Sequence, residues 1–450
     1  MTMPVTLPLW LLILILLFAG VTFASHFLFP SVRWFFRRRA EKVVARLNQR
    51  LTKPIEPFKL ARRYDMIQRL VYDPEVSAAI NDYARKEGVR EDVAFQKARH
   101  YAREIVPSFS ATLYFSVGAR IAKWLSRFLY RVRVGQFDRA VYDSIDKDAT
   151  VIFVMNHRSN MDYVLVTHLA SRAGALSYAV GEWARVWPLS SVIKMMGAYF
   201  IRRKSRGELY RRVLARYVQM ATAGGVTQAV FPEGGLSLTG ALAAPRLGIL
   251  NYIVSDFDPA GRDVVFVPVA LNYDRVLEDR FLIRADQSGQ RKFRPPLSKV
   301  LAGVSGYLWK RMRGKLTTFG TANVSFGRPL SLRDFAHHHS GATEAVGAEL
   351  MARIAAVIPI LPVPLVARAL LSGAETAEQV TANVQADLEA LGTKPVPKPR
   401  RPLADIVADG LTHVQKRRLI TGEDSFTIPE DQRAVLQYYA NTIAHHFQKP

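Results

Sequence analysis

Three short, charge-free runs rich in β-branched residues, Thr150–Val154, Val226–Phe231 and Val264–Leu271, constrain this chain more than any other feature. Each is too short to be a stable helix, and helix-patterned stretches such as Gly207–Ala223 separate them. That alternation predicts an α/β domain with a mixed sheet flanked by helices. Val264–Leu271 is interrupted by Pro268, a residue that belongs at an edge, a bulge or a strand start. The sheet is expected to close near Val324–Leu330, with helices following at Thr343–Ile358 and Ala374–Leu391. Upstream, Ala40–Leu51 and Asp92–Ile105 mix charged and apolar residues without strand-like alternation, so residues 31–108 read as helical. The expected order is therefore an anchor at 1–30, a helical region at 31–108 and an α/β domain at 109–335 that opens on an amphipathic helix. A helical region at 336–393, a linker at 394–402 and a C-terminal unit at 403–450 complete it. The linker, Lys394–Pro402 (KPVPKPRRP), is proline-rich and basic.

The anchor is expected from Leu7–Phe29, 23 residues without a charged side chain, enough to span a hydrocarbon core of about 30 Å. A cleaved signal peptide would need a basic leading segment, and Met1–Thr6 carries no lysine or arginine. Arg33, Arg37, Arg38, Arg39 and Lys42 follow at once, which by the positive-inside bias puts the rest of the chain on the cytoplasmic side of a bacterial-type inner membrane. Between Val117 and Val132 a second feature combines Val117, Ile121, Trp124, Phe128 and Val132 at helical spacing with Arg120, Lys123, Arg127 and Arg131. Such a helix suits either an anionic bilayer surface or a domain core. Lysine and arginine total 62 against 38 acids, a net +24 that favours anionic partners. There is no cysteine, so disulfides, thiolate metal sites and cysteine nucleophiles are excluded from these residues.

Chemistry concentrates just beyond the strand-like runs. Val151–Met155 leads into Asn156-His157-Arg158-Ser159-Asn160-Met161-Asp162, and a strand end is where an α/β sheet exposes reactive side chains. Five residues separate His157 from Asp162, so contact needs the histidine in a turn and the carboxylate on the helix after it. Asp162 would then hold one imidazole tautomer and stabilise the imidazolium. Alone the spacing is weak, because ten histidines and 38 acids over 450 positions give about 0.8 such matches by chance. Next come Gly197-Ala-Tyr-Phe-Ile-Arg202-Arg203-Lys204 with Arg206, a short strand ending in cations, readable as a phosphate site or as a solvated basic patch. Then Phe231-Pro232-Glu233-Gly234-Gly235 sets one acid and two backbone-exposing glycines after a strand.

Taken in order, these four blocks resemble the glycerol-phosphate acyltransferase superfamily, whose motifs are His-x4-Asp, Gly-x-x-Phe-Ile-x-Arg, Phe-Pro-Glu-Gly and a Val-Pro strand. NHRSNMDY and GAYFIRR are closer to glycerol-3-phosphate acyltransferases, and Tyr438-Tyr439-Ala440-Asn441 with His445-His446-Phe447 is similar to their C-terminal segment. The resemblance implies that His157 is a general base oriented by Asp162. It places Arg158, Ser159, Arg202, Arg203, Glu233, Gly234, Gly235 and Arg246 around the acceptor. It also implies glycerol 3-phosphate as acceptor at its sn-1 hydroxyl, acyl-CoA or acyl carrier protein as thioester donor, and anionic membrane lipids as surroundings. Leu236 and Leu238 stand where the family usually has two arginines, which keeps a lysophospholipid acceptor open as the alternative.

Other classes fit the residues poorly. A serine hydrolase would need Gly-x-Ser-x-Gly, and Gly235-Leu236-Ser237-Leu238-Thr239 lacks the closing glycine. Zinc-finger spacing and an RNA-recognition aromatic motif are both missing, so no nucleic-acid partner is expected. No metal-ligand cluster, phosphate-binding P-loop or dinucleotide fingerprint stands out, so no bound cofactor is expected.

Overall fold

The computed structural model describes residues 8–171, 174–181, 189–202, 207–289, 318–338 and 343–448. The chain forms two compact units, residues 1–54 and 55–450. In the first, one helix runs from Leu9 to Asn48. At 40 residues it is about 60 Å long, twice a hydrocarbon core, and it does not stop where the apolar run stops. No helix among the described residues is long and apolar enough to cross a membrane. That overturns the expected anchor at 1–30, the transmembrane part of the expected architecture and the inner-membrane placement that rested on it.

Among the described residues the second unit is built on a mixed eight-stranded sheet: β1 (Arg131–Val134), β2 (Thr150–Met155), β3 (Ser177–Val180), β4 (Tyr199–Phe200), β5 (Gln228–Val230), β6 (Val264–Tyr273), β7 (Thr321–Phe326) and β8 (Leu330–Ser331). The strand order is β1-β7-β6-β2-β5-β3-β4, with β8 also paired to β6. β6, β2, β5, β3 and β4 are mutually parallel, so their carboxyl ends share one edge. β7 and β8 run antiparallel to β6. The central strands are uninterrupted apolar runs because helices cover both faces. Phe153, Met155, Val267, Val269 and Leu271 face a core completed by the helices Pro362–Leu371, Leu403–Lys416 and Glu430–Asn441. The alternate residues Ile152, Val154, Phe266 and Ala270 face another, completed by the helices Arg63–Val71, Glu91–Ile105, Glu208–Ala223 and Thr343–Ala356.

Pro268 sits within central β6 rather than at an edge. It falls where the partner on one side changes from β8, opposite Phe266, to β7, opposite Val269. Its carbonyl accepts from Gly327 at 2.8 Å, and the N–H it lacks would point to that same gap, so no ladder bond is lost. The amphipathic segment divides differently from its sequence pattern. A π-helical turn at Leu113–Gly118 leads into the helix Ala119–Leu129, which presents Ala122, Ser126 and Leu129 to the core. Ile121 and Trp124 remain exposed beside Arg120, Lys123 and Arg127. Trp124 stacks on Phe128, with ring centroids 5.2 Å apart.

The C-terminal histidines fasten the chain's end to the helical layer. His445 Nε2 lies 3.1 Å from the Ala355 carbonyl and His446 Nε2 lies 2.9 Å from that of Ile358, with the two rings 4.0 Å apart. Both sites need a neutral ring: burial pushes the His445 pKa down from 6.5 to about 3, helped by the adjacent His446, and burial lowers His446 as well. Between about 3 and 6.5 the unfolded chain therefore binds more protons than the folded one, so stability is full above that window and is lost as pH falls through it. The thermal midpoint is expected to drop between pH 7 and pH 5, and His445→Gln should flatten the profile. An equally steep profile in the variant would remove His445 as the cause.

Candidate active site

β2 ends at Met155, and the chain turns through Asn156–Asn160 before the helix Met161–Ala170. The Asn156 carboxamide extends the sheet past its last ladder bond, donating to the Leu271 carbonyl at 2.9 Å and accepting from Leu271 N–H at 2.7 Å. This fixes where His157 emerges. Asp162 is the second residue of the helix, where the positive end of the peptide dipoles favours an anion. His157 Nδ1 lies 2.9 Å from Asp162 Oδ2, so the five-residue spacing closes as a turn followed by a helix.

Asp162 is saturated. Oδ2 also accepts from the backbone N–H groups of Arg158 at 2.7 Å and Ser159 at 3.0 Å, while Oδ1 accepts from the Tyr273 hydroxyl at 2.6 Å. Burial first, and then the Asp162 charge, push the Tyr273 pKa far up, so the phenol keeps the proton it donates. A carboxylate surrounded by donors can only accept, so Nδ1 carries the imidazole proton and Nε2 holds the lone pair. Nε2 makes no hydrogen bond among the described residues. The ring is 2% exposed and held by Phe231 stacked at 4.1 Å and Tyr163 edge-on at 5.4 Å.

The loop after β5 is tied to the same histidine. Glu233 Oε1 accepts from His157 N–H at 2.8 Å and Oε2 from Ala243 N–H at 3.0 Å, and Ser237 N–H donates to the His157 carbonyl at 2.9 Å. Burial lifts the Glu233 pKa, opposed by the Arg158 charge and the two backbone donors. Gly234 has φ +66°, and a Cβ there would lie 2.6 Å from Arg246 Cδ, so the exposed Arg246 side chain crosses the loop at this point. Gly235 is buried beside it. Leu236 and Leu238 pack on the hydrophobic core. The Ser237 hydroxyl donates to the Ala241 carbonyl at 2.7 Å rather than to the imidazole, which disfavours a serine nucleophile.

The remaining expected residues separate. Arg158 is fully buried, with Nη1 donating to the carbonyls of Gly240 and Ala241, the latter at 3.2 Å. Its Nε and Nη2 have no partner among the described residues. The Ser159 hydroxyl donates to Glu278 at 2.7 Å. Arg202 is committed to Glu104 through two bonds, 2.9 and 2.6 Å, and its guanidinium lies over Tyr101 and Tyr210. Arg203 lies outside the described residues.

Sequence reasoning missed three supports. Glu278 binds Ser159, the Asn160 amide N–H at 3.1 Å and the Asn160 side chain at 3.0 Å, and so holds the turn between histidine and helix. Tyr273 fixes the far oxygen of Asp162. The C-terminal helix supports both: Tyr439 accepts from Val276 N–H at 2.9 Å and donates to Asp279 at 2.6 Å, where Arg417 also pairs. Tyr273 stands just past the end of the Val264–Leu271 run and Tyr439 within the C-terminal segment Tyr438–Asn441, which gave a hint of each; Glu278 lies in no motif.

Residues 137–272 match the family described as Acyltransferase, and residues 306–450 match the glycerol-3-phosphate acyltransferase C-terminal region. A glycerol-3-phosphate acyltransferase from Aeromonas hydrophila is 28% identical over 422 residues, covering 87% of this chain and 51% of that protein. The chain thus spans about half the length of that curated relative. A solved structure, the 1-acyl-sn-glycerophosphate (LPA) acyltransferase PlsC from Thermotoga maritima, is 22% identical and covers 53% of this chain and 79% of its own, with a TM-score of 0.30. The ordered motifs between 156 and 268 and the C-terminal match, together on one chain, support membership in the glycerol-3-phosphate/lysophospholipid acyltransferase superfamily.

Proposed function

We propose that this protein transfers an acyl group from an acyl-CoA or acyl-carrier-protein thioester to the sn-1 hydroxyl of glycerol 3-phosphate. The observation that carries the reading is the His157–Asp162 pair, with Nδ1 fixed by a saturated carboxylate and Nε2 left without an internal partner. Nε2 takes the hydroxyl proton as that oxygen attacks the thioester carbonyl, and Asp162 stabilises the imidazolium. Collapse of the tetrahedral intermediate breaks the carbon–sulfur bond, and the thiolate leaves with the proton returned from His157. General-base catalysis supplies about 10²- to 10⁴-fold, so orientation of the two substrates and stabilisation of the oxyanion must supply the rest.

For the phosphate, Arg246 beside Gly234 is the better placed cation, because Arg202 is held by Glu104. Glu233, with both oxygens on backbone N–H groups, acts by fixing the loop that Arg246 crosses. The exposed Ile121–Trp124 stripe with its flanking cations is the surface that would meet anionic lipid. A lysophospholipid acceptor is the second reading, favoured by the packing of Leu236 and Leu238 into the core where the family usually places arginines. Turnover of purified protein with each acceptor separates the two. Activity with glycerol 3-phosphate is expected to exceed that with lysophosphatidate, and the reverse order would overturn the acceptor.

A further inference from the structure

β6 outruns its neighbour. Its last pairing with β2 joins Val269 to Met155, and it then continues four residues further to Tyr273, alongside the turn that carries His157. Val269, Leu271 and Tyr273 alternate onto the face where Phe153 and Met155 lie. That alternation aims Tyr273, the last residue of the strand, at the first turn of the helix Met161–Ala170. The side chain is 1% exposed and packs against Tyr130, with ring centroids 5.3 Å apart. A phenol buried this far needs a partner for its hydroxyl. Its one hydrogen bond among the described residues goes to Asp162 Oδ1 at 2.6 Å.

The two oxygens of Asp162 are unequally served. Oδ2 takes His157 Nδ1 and the backbone N–H groups of Arg158 and Ser159, whereas Oδ1 takes Tyr273 alone among the described residues. The backbone donors are fixed by the turn, so the phenol is the side chain that sets how much charge the carboxylate shows the imidazole. A hydroxyl bonded to an ionised carboxylate stabilises it and weakens it as a base. Burial and the Asp162 charge keep the Tyr273 proton on the phenol, so the donor does not switch off as pH rises. We infer that Tyr273 is a positioning residue which, through Asp162, holds His157 in its neutral, proton-accepting form to lower pH than the His157–Asp162 pair alone would reach.

Other ionisable groups face this arrangement among the described residues. Glu278, on the loop after β6, lies towards Asp162; Glu233 and Arg158 stand beside His157, Tyr163 edge-on to its ring, and Tyr130 against Tyr273. Tyr130 donates to the Arg275 carbonyl at 2.8 Å, and Glu278 accepts from Ser159 and Asn160, so neither bonds to the Asp162 carboxylate. They act through space, and a change confined to the Tyr273 hydroxyl leaves them in place. The inference rests on the acyl-transfer reading for its consequence in turnover, and on the contacts of Asp162 alone for its effect on the imidazole.

Removing the donor leaves more charge on Asp162, which favours the imidazolium, so the ring gains its proton at higher pH. In Tyr273→Phe the acidic limb of the kcat/KM profile is therefore expected to move up by roughly half a unit to one unit. The plateau should fall far less than in His157→Ala. A ring-fluorinated tyrosine placed at position 273, a stronger donor of nearly the same shape, should move the limb down. Any pattern other than these opposite displacements overturns the inference, because lost packing or lost orientation slows turnover equally at every pH. Should Tyr273→Phe not fold, the fluorinated protein carries the test. NMR titration of the His157 ring in the full chain needs no turnover and should show the same two displacements. If the unaltered protein turns over no thioester, acyl transfer fails, and the ring titration still decides the role of Tyr273.

Discussion

His157→Ala is expected to lower kcat by about 10²- to 10⁴-fold with little loss of folded stability, read by thiol release from purified protein. The two outcomes separate because of what surrounds the ring. The backbone N–H of His157 stays bonded to Glu233, and Asp162 keeps the N–H groups of Arg158 and Ser159 and the Tyr273 hydroxyl. What is lost is Nε2, which serves no other internal group, and a ring packed between Phe231 and Tyr163. His157→Gln, filling more of the space but without a base, should be as inactive as the alanine variant. Near-normal turnover in either would remove histidine as the proton acceptor.

Asp162→Ala should reverse the balance, costing about 3–5 kcal/mol of stability as well as activity. It would leave two backbone N–H groups, the Tyr273 hydroxyl and the imidazole Nδ1 without their acceptor in a site with no solvent exposure at Asp162. Asp162→Asn keeps the volume and some of these bonds, so its unfolding midpoint should fall less. Its amide can donate to Nδ1, which turns the lone pair away from substrate, so its activity should fall about as far as in His157→Ala. Urea unfolding of both variants beside turnover tests this. If Asp162→Ala unfolds at the unaltered midpoint, the carboxylate does not hold the turn together.

The predicted strands lie within one or two residues of those observed, because continuous apolar β-branched runs can be buried only between two helical layers. The same local reading failed at the N-terminus. A 23-residue charge-free run measures length and polarity, but not whether the helix stops with it; this helix continues to Asn48. At Ala119–Leu129, which the pattern left open between a bilayer surface and a core, Ala122 and Ser126 allow close helix approach while the larger Ile121 and Trp124 stay outside. Nothing near Arg202 in sequence foretells its pairing with Glu104, 98 residues away.

By itself the sequence determined the order of strands and helices in the α/β body and brought His157 within reach of Asp162, since a strand end followed by a helix start leaves few ways to place residues five apart. The tertiary structure decided what holds that pair: Tyr273 from β6, Glu278 from the following loop, Glu233 from the loop after β5, and Tyr439 and Arg417 from the C-terminal helices. These partners are 76 to 163 positions from the residues they support. Buried donors and acceptors must be paired wherever the fold brings them, and that demand leaves no periodicity or spacing in the chain.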